Sequence, residues 1–405
     1  MERTPLNTPC TSGRSVVTMS TRDEMEAKTE AEKEKSSVAS VIFYVLDVII
    51  TFFIIAPLVV SYWRGTWELM DHYLPREAPL NCFISYGIGV CLVMIFNLLQ
   101  FKLEKCLHGQ NVILFIICSR VYLYVLSGGI VNHWRGVWTL WDHYTGTGAL
   151  SGMTSTIIGF AMLAIFRGAK NAYAPPLLSV IDRHDEFFLI STRFRTTPKT
   201  PYYWFLDILF TTVVIHGLVV FVWRGSWVFL DAILYPDDKA KSCWVSLIIG
   251  YLISFVYLFW QKLATIISRK LAAKTIWVSI FESAYWIVGF YGPLNLWRGV
   301  WGLLDVFLLP GREPISQWIT HSMGVSLMFI CTYKSILAVG FVMDGEGVTL
   351  PIRYIQEIVN RQNSPICTRS SSTGENEQKT TDIESLKKNG SLVEMDSVQS
   401  TFEKV

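Results

Sequence analysis

Charge is scarce in this chain of 405 residues: Asp, Glu, Lys and Arg make up only 17% of it, whereas 51% of the residues are hydrophobic. Such a balance excludes an ordinary soluble domain and is typical of proteins that cross a membrane many times. The formal net charge of +2 is also too small for a nucleic-acid-binding surface. The composition therefore predicts a lipid bilayer around the chain and no nucleic-acid partner.

Sequence patterns for cofactors and catalysis are lacking as well. The eight cysteines are scattered without CxxC spacing, so neither a zinc site nor a dithiol redox site is predicted. The chain has no nucleophile elbow, phosphate-binding loop, HExxH motif or kinase-like set of residues. We therefore predict a protein that is not an enzyme and that binds no cofactor and no metal.

Long apolar runs fill the middle of the chain. Eight of them are long enough to cross the hydrocarbon core of a membrane, which takes about 20 residues as a helix. They lie near residues 41–63, 81–101, 112–134, 152–168, 203–223, 243–264, 275–297 and 318–340. A helix satisfies its own backbone hydrogen bonds in lipid. The predicted fold is therefore an all-α integral membrane protein with eight transmembrane helices.

A nine-residue motif, Trp-Arg-Gly-x-Trp-x-(Leu/Phe)-x-Asp, occurs four times, each time between one apolar run and the next. Its shared positions are Trp63, Arg64, Gly65, Trp67 and Asp71; Trp134, Arg135, Gly136, Trp138 and Asp142; Trp223, Arg224, Gly225, Trp227 and Asp231; Trp297, Arg298, Gly299, Trp301 and Asp305. Tryptophan favours the membrane interface. The glycine allows either a tight turn or the close approach of another backbone.

The motif arginine and aspartate lie seven residues apart, so they could pair within one copy or between neighbouring copies. We interpret the motif as a structural interfacial belt, in which each copy ends a span, starts a short interfacial helix and ties the four hairpins together through Arg–Asp pairs. The alternative is a ring of arginines that attracts anions to an outer vestibule.

Matched positions divide the chain into two halves. Asp47 and Asp207 each precede a motif tryptophan by 16 residues, and Cys82 and Cys243 follow these two motifs at an offset of 161 residues. We predict two parallel four-helix repeats built from four hairpin units, related by an axis along the membrane normal. The predicted boundaries are a disordered tail at 1–39, a first half at 40–168, a linker at 169–201, a second half at 202–341, and a tail at 342–405 with a short interfacial helix near 351–361.

Basic residues concentrate in the loops after the second, fourth and sixth runs. Such loops stay on the cytoplasmic side, so both termini and the linker are predicted to be cytoplasmic and the motifs to face the outside or a lumen. Cys82 and Cys243 could then form a disulfide in the oxidising exterior, or remain unpaired packing residues. The final residues Glu403, Lys404 and Val405 could bind a PDZ domain, or simply end a disordered tail.

One ionisable side chain lies in the inner third of each odd-numbered run: Asp47, Arg120, Asp207 and Glu282. A charge inside the bilayer is costly, so it usually pairs or faces water. Arg120 can neutralise one of the three carboxylates, and the surplus acid could bind a cation or carry protons. The alternative is a purely structural cluster, or side chains shallow enough to reach cytoplasmic water.

Eight predicted spans with Trp-Arg-Gly at residues 63–65, 134–136, 223–225 and 297–299 resemble the fuseless family of invertebrate membrane proteins. The resemblance covers about residues 40–342. It implies a presynaptic plasma-membrane protein of neurons that is needed for active-zone organisation, calcium-channel localisation and transmitter release. The implied partners are calcium channels or active-zone scaffold proteins, and no catalytic residues are implied. The residues themselves leave a transporter or channel built on the intramembrane charges as the alternative function.

Overall fold

In a computed structural model of the protein, helices make up the secondary structure of the residues that are described. The structure describes residues 38–39, 41–75, 77–107, 109–177, 187–272 and 274–331. The predicted C-terminal tail with its interfacial helix near 351–361, and the N-terminal tail up to residue 37, lie outside the described residues. So does the middle of the linker, residues 178–186.

Eight helices of 17 residues or more lie in the described part of the chain. They are α1 (Val41–Tyr73), α2 (Leu80–Leu107), α3 (Val112–Thr145), α4 (Ala149–Ile165), α5 (Pro201–Ile233), α6 (Lys239–Leu271), α7 (Thr275–Phe307) and α8 (Ile315–Cys331). The prediction of an all-helical protein is confirmed, with one helix at each apolar run. Five of them, α1, α2, α3, α5 and α6, are long and apolar enough to cross a membrane.

The motif-bearing helices α1, α3, α5 and α7 extend well beyond their apolar runs. Each contains 33 or 34 residues, which is about 50 Å at the helical rise, compared with about 30 Å for the hydrocarbon core. The motif is helical throughout, and α1 continues from Trp63 through Asp71 without a break. The prediction of a short interfacial helix after each motif tryptophan is therefore wrong, because these residues form the last turns of one continuous helix.

A π-helical turn interrupts two of these helices at matching positions. It covers Thr51–Ile55 in α1 and Thr211–Ile215 in α5, and the two turns are separated by the same 160 residues as Asp47 and Asp207. Single π turns inside α-helices are uncommon and have local causes. Duplication of a four-helix half would place the two π-helical turns at matching positions, as observed. The arrangement of the helices in two repeats stays a prediction.

The four motif-bearing helices form an inner ring, and α2, α4, α6 and α8 pack around it. Each outer helix packs chiefly along the inner helix of the next unit: α2 along α3, α4 along α5, α6 along α7, and α8 along α1. The contacts run antiparallel, since Gly89 on α2 meets His133 on α3 while Leu92 meets Gly129. The four hairpin units thus interlock in a closed circle, and α8 against α1 completes it.

Glycine allows these helices to come close together. A Cβ added to Gly225 on α5 would lie 2.7 Å from the Cβ of Ser155 on α4, and one added to Gly299 on α7 would lie 2.7 Å from the Cβ of Leu247 on α6. Membrane helices often pack through small residues, because lipid provides no hydrophobic drive for their association. Of the two roles predicted for the motif glycine, the structure shows the close approach.

The first part of the linker between α4 and α5, residues 169–177, lies inside the bundle. A 3₁₀ turn, Ala169–Ala172, follows α4, and the next described residues include Tyr173, Ala174 and Leu177, none more than 1% exposed. Phe187, after the undescribed middle, is also 1% exposed. Residues 169–177 and 187–190 of the linker therefore belong mostly to the core, whereas residues 197–200 are exposed.

Candidate functional site

Each motif arginine is buried and binds the aspartate of the preceding unit. The N–O distances are 2.7 Å for Arg135–Asp71, 2.8 Å for Arg224–Asp142, 2.8 Å for Arg298–Asp231 and 2.7 Å for Arg64–Asp305. The arginine side chains are at most 5% exposed. Of the two pairings left open by the sequence, the structure forms the one between neighbouring copies. We call these four pairs the Arg–Asp ring.

A second fourfold pattern lies on the outer helices. Small polar residues at positions i and i+4 accept hydrogen bonds from the arginine of the next unit, and the glycine at i+8 contacts the residue before the motif tryptophan. The sets are Asn81, Ser85 and Gly89; Ser151, Ser155 and Gly159; Ser242, Ser246 and Gly250; Ser316, Thr320 and Gly324. The spacing was visible in the sequence, but Ser and Gly are too common for it to stand out without the arginine contacts.

The eight motif tryptophans form two stacked layers around the axis of the inner ring. The lower layer is Trp63, Trp134, Trp223 and Trp297; the upper layer is Trp67, Trp138, Trp227 and Trp301. Successive ring centroids are 5.2–5.7 Å apart in the lower layer and 5.7–6.0 Å apart in the upper layer. All eight contacts are edge-to-face, the geometry that the quadrupoles of aromatic rings favour.

A cavity of about 190 Å³ lies between the layers and is lined by all eight tryptophans. The lower layer is 1–3% exposed, whereas the upper layer is half-buried, so the lower layer closes the floor and the opening lies between the upper rings. The linker lies beneath the floor, where Trp223 donates its indole N–H to the carbonyl of Ala172 at 2.8 Å. Trp297 donates in the same way to Pro175 at 2.9 Å. We call this cavity the tryptophan cup.

A known protein family matches the part of the chain that forms the interlocked units. The family model named Fuseless matches residues 42–337, which include all eight helices almost completely, the Arg–Asp ring and the tryptophan cup. The chain belongs to the Fuseless family. Fuseless membership and the apolar helices identify a multi-pass membrane protein. No curated protein and no solved structure matches the chain.

Asp207 binds the linker of this Fuseless chain to α5. Its carboxylate accepts hydrogen bonds from the backbone N–H groups of Phe194 and Thr196, each at 3.0 Å. The hydroxyl groups of Thr192 and Thr196 donate to it at 2.7 and 2.9 Å. A carboxylate that accepts several N–H and O–H bonds is a strong local organiser. The carboxylate predicted for an ion or proton site therefore also has a structural task.

Two of the other three predicted site residues form hydrogen bonds on their own helix or with a neighbouring one. Glu282 on α7 accepts a hydrogen bond from the hydroxyl of Ser268 on α6 at 2.6 Å. Arg120 on α3 is 6% exposed and donates to the hydroxyl of Ser119 at 2.9 Å, and Asp47 on α1 is 1% exposed. The joint ion or proton site of these residues stays a prediction. Within the described ranges, no three His, Cys, Asp or Glu side chains are placed to hold a metal ion.

Cys82 and Cys243 are both buried and both free in the structure. The sulfur of Cys243 is the atom nearest to a Cβ added at Gly302, so this thiol packs against α7. Cys82 lies on α2, which packs along α3. The disulfide considered for these residues is not formed, because the two thiols lie on outer helices that pack on different inner helices.

Proposed function

We propose that this protein is a presynaptic multispan membrane protein that organises active zones and localises calcium channels for synaptic transmission. It acts through contacts with calcium channels or active-zone scaffold proteins and not by turnover of a substrate. In this proposal all eight helices cross the plasma membrane as two parallel four-helix repeats. Both termini and the linker are cytoplasmic, and the motifs face outwards. Family membership supports the neuronal and membrane parts of the proposal.

The observation that carries a contact role is the blocked axis of the inner ring below the tryptophan cup. The tryptophan cup has a closed floor, and the buried linker lies directly beneath it through the carbonyl groups of Ala172 and Pro175. Asp207 holds the later part of the linker against α5. The floor of the cup and the linker beneath it both block the axis of the bundle. This favours a scaffold that presents its surfaces and tails to partners, and it disfavours a transport pathway along the axis.

A transporter or channel is the alternative function, and the burial of charge favours it. Asp47, Arg120 and Asp207 are 1%, 6% and 3% exposed. Ionisable residues within membrane-spanning segments are rare, and they commonly mark ion pathways or proton relays. In this alternative, Glu282 joins them around a path between the inner helices.

Rescue of neurons that lack the protein tests the contact role. Wild-type protein should restore calcium-channel clusters, measured by super-resolution imaging, together with evoked release. A chain that ends at residue 341 should reach the plasma membrane but leave the channels dispersed, because the recruiting tail is missing. A chain without residues 403–405 separates the contribution of PDZ binding from that of the rest of the tail. Full channel clustering by the chain that ends at residue 341 would refute recruitment through the tail.

The alternative is tested with Asp47→Asn combined with Glu282→Gln, which leaves Asp207 and the linker contacts intact. If the protein works through contacts, this double variant should reach the membrane and restore release as wild type does. Proton and cation flux into proteoliposomes should also be equal for the two proteins. Normal delivery together with lost release and altered flux would favour the transporter or channel.

A further inference from the structure

The walls of the tryptophan cup have a chemistry that packing alone does not require. Leucine or phenylalanine would fill an apolar core, yet all eight lining positions are tryptophan. Among aromatic side chains, the face of tryptophan attracts a cation most strongly. Eight of the 15 tryptophans in the chain are therefore concentrated around one cavity.

The indole N–H groups with known acceptors point away from this cavity. Trp223 and Trp297 donate downwards to the linker. In the upper layer, the indole groups of Trp67 and Trp138 lie close to the carboxylates of Asp71 and Asp142 at the rim. Carbon atoms of the rings therefore form most of the interior, which makes the cup a poor site for a small hydrated ion. It suits a group with an apolar exterior.

The rim of the cup exposes more acid than base. The side chains of Asp71 and Asp231, one helical turn above the upper layer, are 47% and 54% exposed. Their partners Arg135 and Arg298 are only 1% and 4% exposed. Lys239, which binds Asp305 at 3.0 Å and is 62% exposed, adds one exposed cation to this rim. The exposed carboxylates outnumber it, and an excess of charge of one sign at a cleft raises the local concentration of the opposite ion.

The volume of the cup is similar to that of cavities that bind small organic molecules. Apolar cavities of about 150 Å³ bind benzene, and the cup at about 190 Å³ is somewhat larger. A trimethylammonium group has fewer heavy atoms than benzene, carries a positive charge and presents only methyl groups to its surroundings. We propose that the tryptophan cup binds a quaternary ammonium group. The group could belong to a free choline-like molecule or to the headgroup of a phosphatidylcholine lipid, and the inference does not depend on the proposed synaptic role.

Choline is the probe for the first test, with full-length protein in phosphatidylglycerol nanodiscs and binding measured by isothermal titration calorimetry. The comparison ligand is 3,3-dimethylbutan-1-ol, which has the shape of choline with carbon in place of the charged nitrogen. Choline should bind saturably and at least about tenfold more tightly than the alcohol, because only the cation gains from the ring faces. Equal affinities, or no saturable binding of choline, would overturn the proposal.

Variants then locate the site. Trp301→Leu removes one wall of the upper layer and should weaken choline binding about fivefold or more. Trp301→Phe keeps a ring and should give a smaller loss. Trp244→Leu is the matched control, because this tryptophan is 50% exposed and lies outside the cup; it should bind choline as wild type does. If Trp301→Leu does not fold, Trp301→Phe decides, and wild-type affinity in the folded Trp301 variants would overturn the proposal.

A final arm distinguishes the two sources of the group. Phosphatidylcholine nanodiscs replace the phosphatidylglycerol nanodiscs, and the choline titration is repeated. If the lipid headgroup enters the cup, it competes and the apparent affinity for choline falls. An unchanged affinity assigns the site to a free small molecule. Either result supports the site, provided that the Trp301 variants weaken binding in phosphatidylglycerol.

Discussion

Removal of one carboxylate from the Arg–Asp ring should destabilise the whole bundle. Arg224 on α5 is the most buried of the four arginines, with a side chain that is 0% exposed. Asp142 on α3 is its charged partner at 2.8 Å, and Ser151 and Ser155 on α4 accept two further hydrogen bonds. Asp142→Asn therefore leaves a buried guanidinium without a counter-charge, while its neutral acceptors remain.

The expected magnitude follows from the burial of the two partners. Breaking a buried ion pair by removing one partner costs about 3–5 kcal/mol. Because Asp142 is 30% exposed and Arg224 keeps its hydroxyl acceptors, we expect the lower end, about 3 kcal/mol. The matched control is Lys239→Ala, which breaks the Lys239–Asp305 pair; since the lysine is 62% exposed, this change should cost less than about 1 kcal/mol.

Unfolding of the purified protein in mixed micelles, followed by tryptophan fluorescence, measures these differences. A double-mutant cycle with Arg224→Met isolates the pair and should give a coupling energy of at least about 1.5 kcal/mol. The double variant should be more stable than Asp142→Asn, because no unpaired buried charge remains. The reasoning is refuted if Asp142→Asn is no more destabilising than Lys239→Ala, or if the coupling is zero within error.

Two further changes test the helix contacts and the linker. Gly136→Ala should lower the free energy of unfolding by about 1–3 kcal/mol, because its Cβ would overlap the backbone of Tyr86. Gly128→Ala on the same helix meets open space and should leave the stability unchanged or raise it. Equal melting temperatures for the two variants would contradict this reasoning. Asp207→Asn should speed limited proteolysis of the linker by about tenfold or more, because bonds to a charged acceptor contribute about 1.5–3 kcal/mol. Cleavage as slow as in the exposed-site control Asp237→Asn would argue against it.

The helices were predictable because the signal for each one is local. An apolar run long enough to cross a bilayer has few alternatives to a helix, and the fourth run, predicted at 152–168, is the helix Ala149–Ile165. The ends of the inner helices were not predicted. The polar motif residues beyond Trp63 suggested the end of a span, whereas contacts with neighbouring units keep α1 helical as far as Tyr73.

The candidate site was predictable in its members but not in its pairing. Arginine and aspartate each occur once in every copy of the motif, so pairing within a copy and pairing between copies are compatible with the same sequence. The outer helices decided between them: α2 packs along α3 and brings Ser85 to Arg135, at the same place where Asp71 reaches it. The burial of part of the linker was not predicted for a related reason, because its apolar residues are too few and scattered for a span. Tyr173 and Phe187 are buried only because the inner helices leave space between them.

By itself, the sequence determined that the chain is a helical membrane protein, where its helices lie and that one motif recurs in four units. These properties depend on hydrophobicity and spacing within short segments, which can be read along the chain. Only the tertiary structure decided that the units interlock, that each arginine binds the preceding aspartate and that eight tryptophans enclose a cavity above a buried linker. These properties depend on contacts between residues far apart in sequence, and several closures of the ring are compatible with the same local pattern.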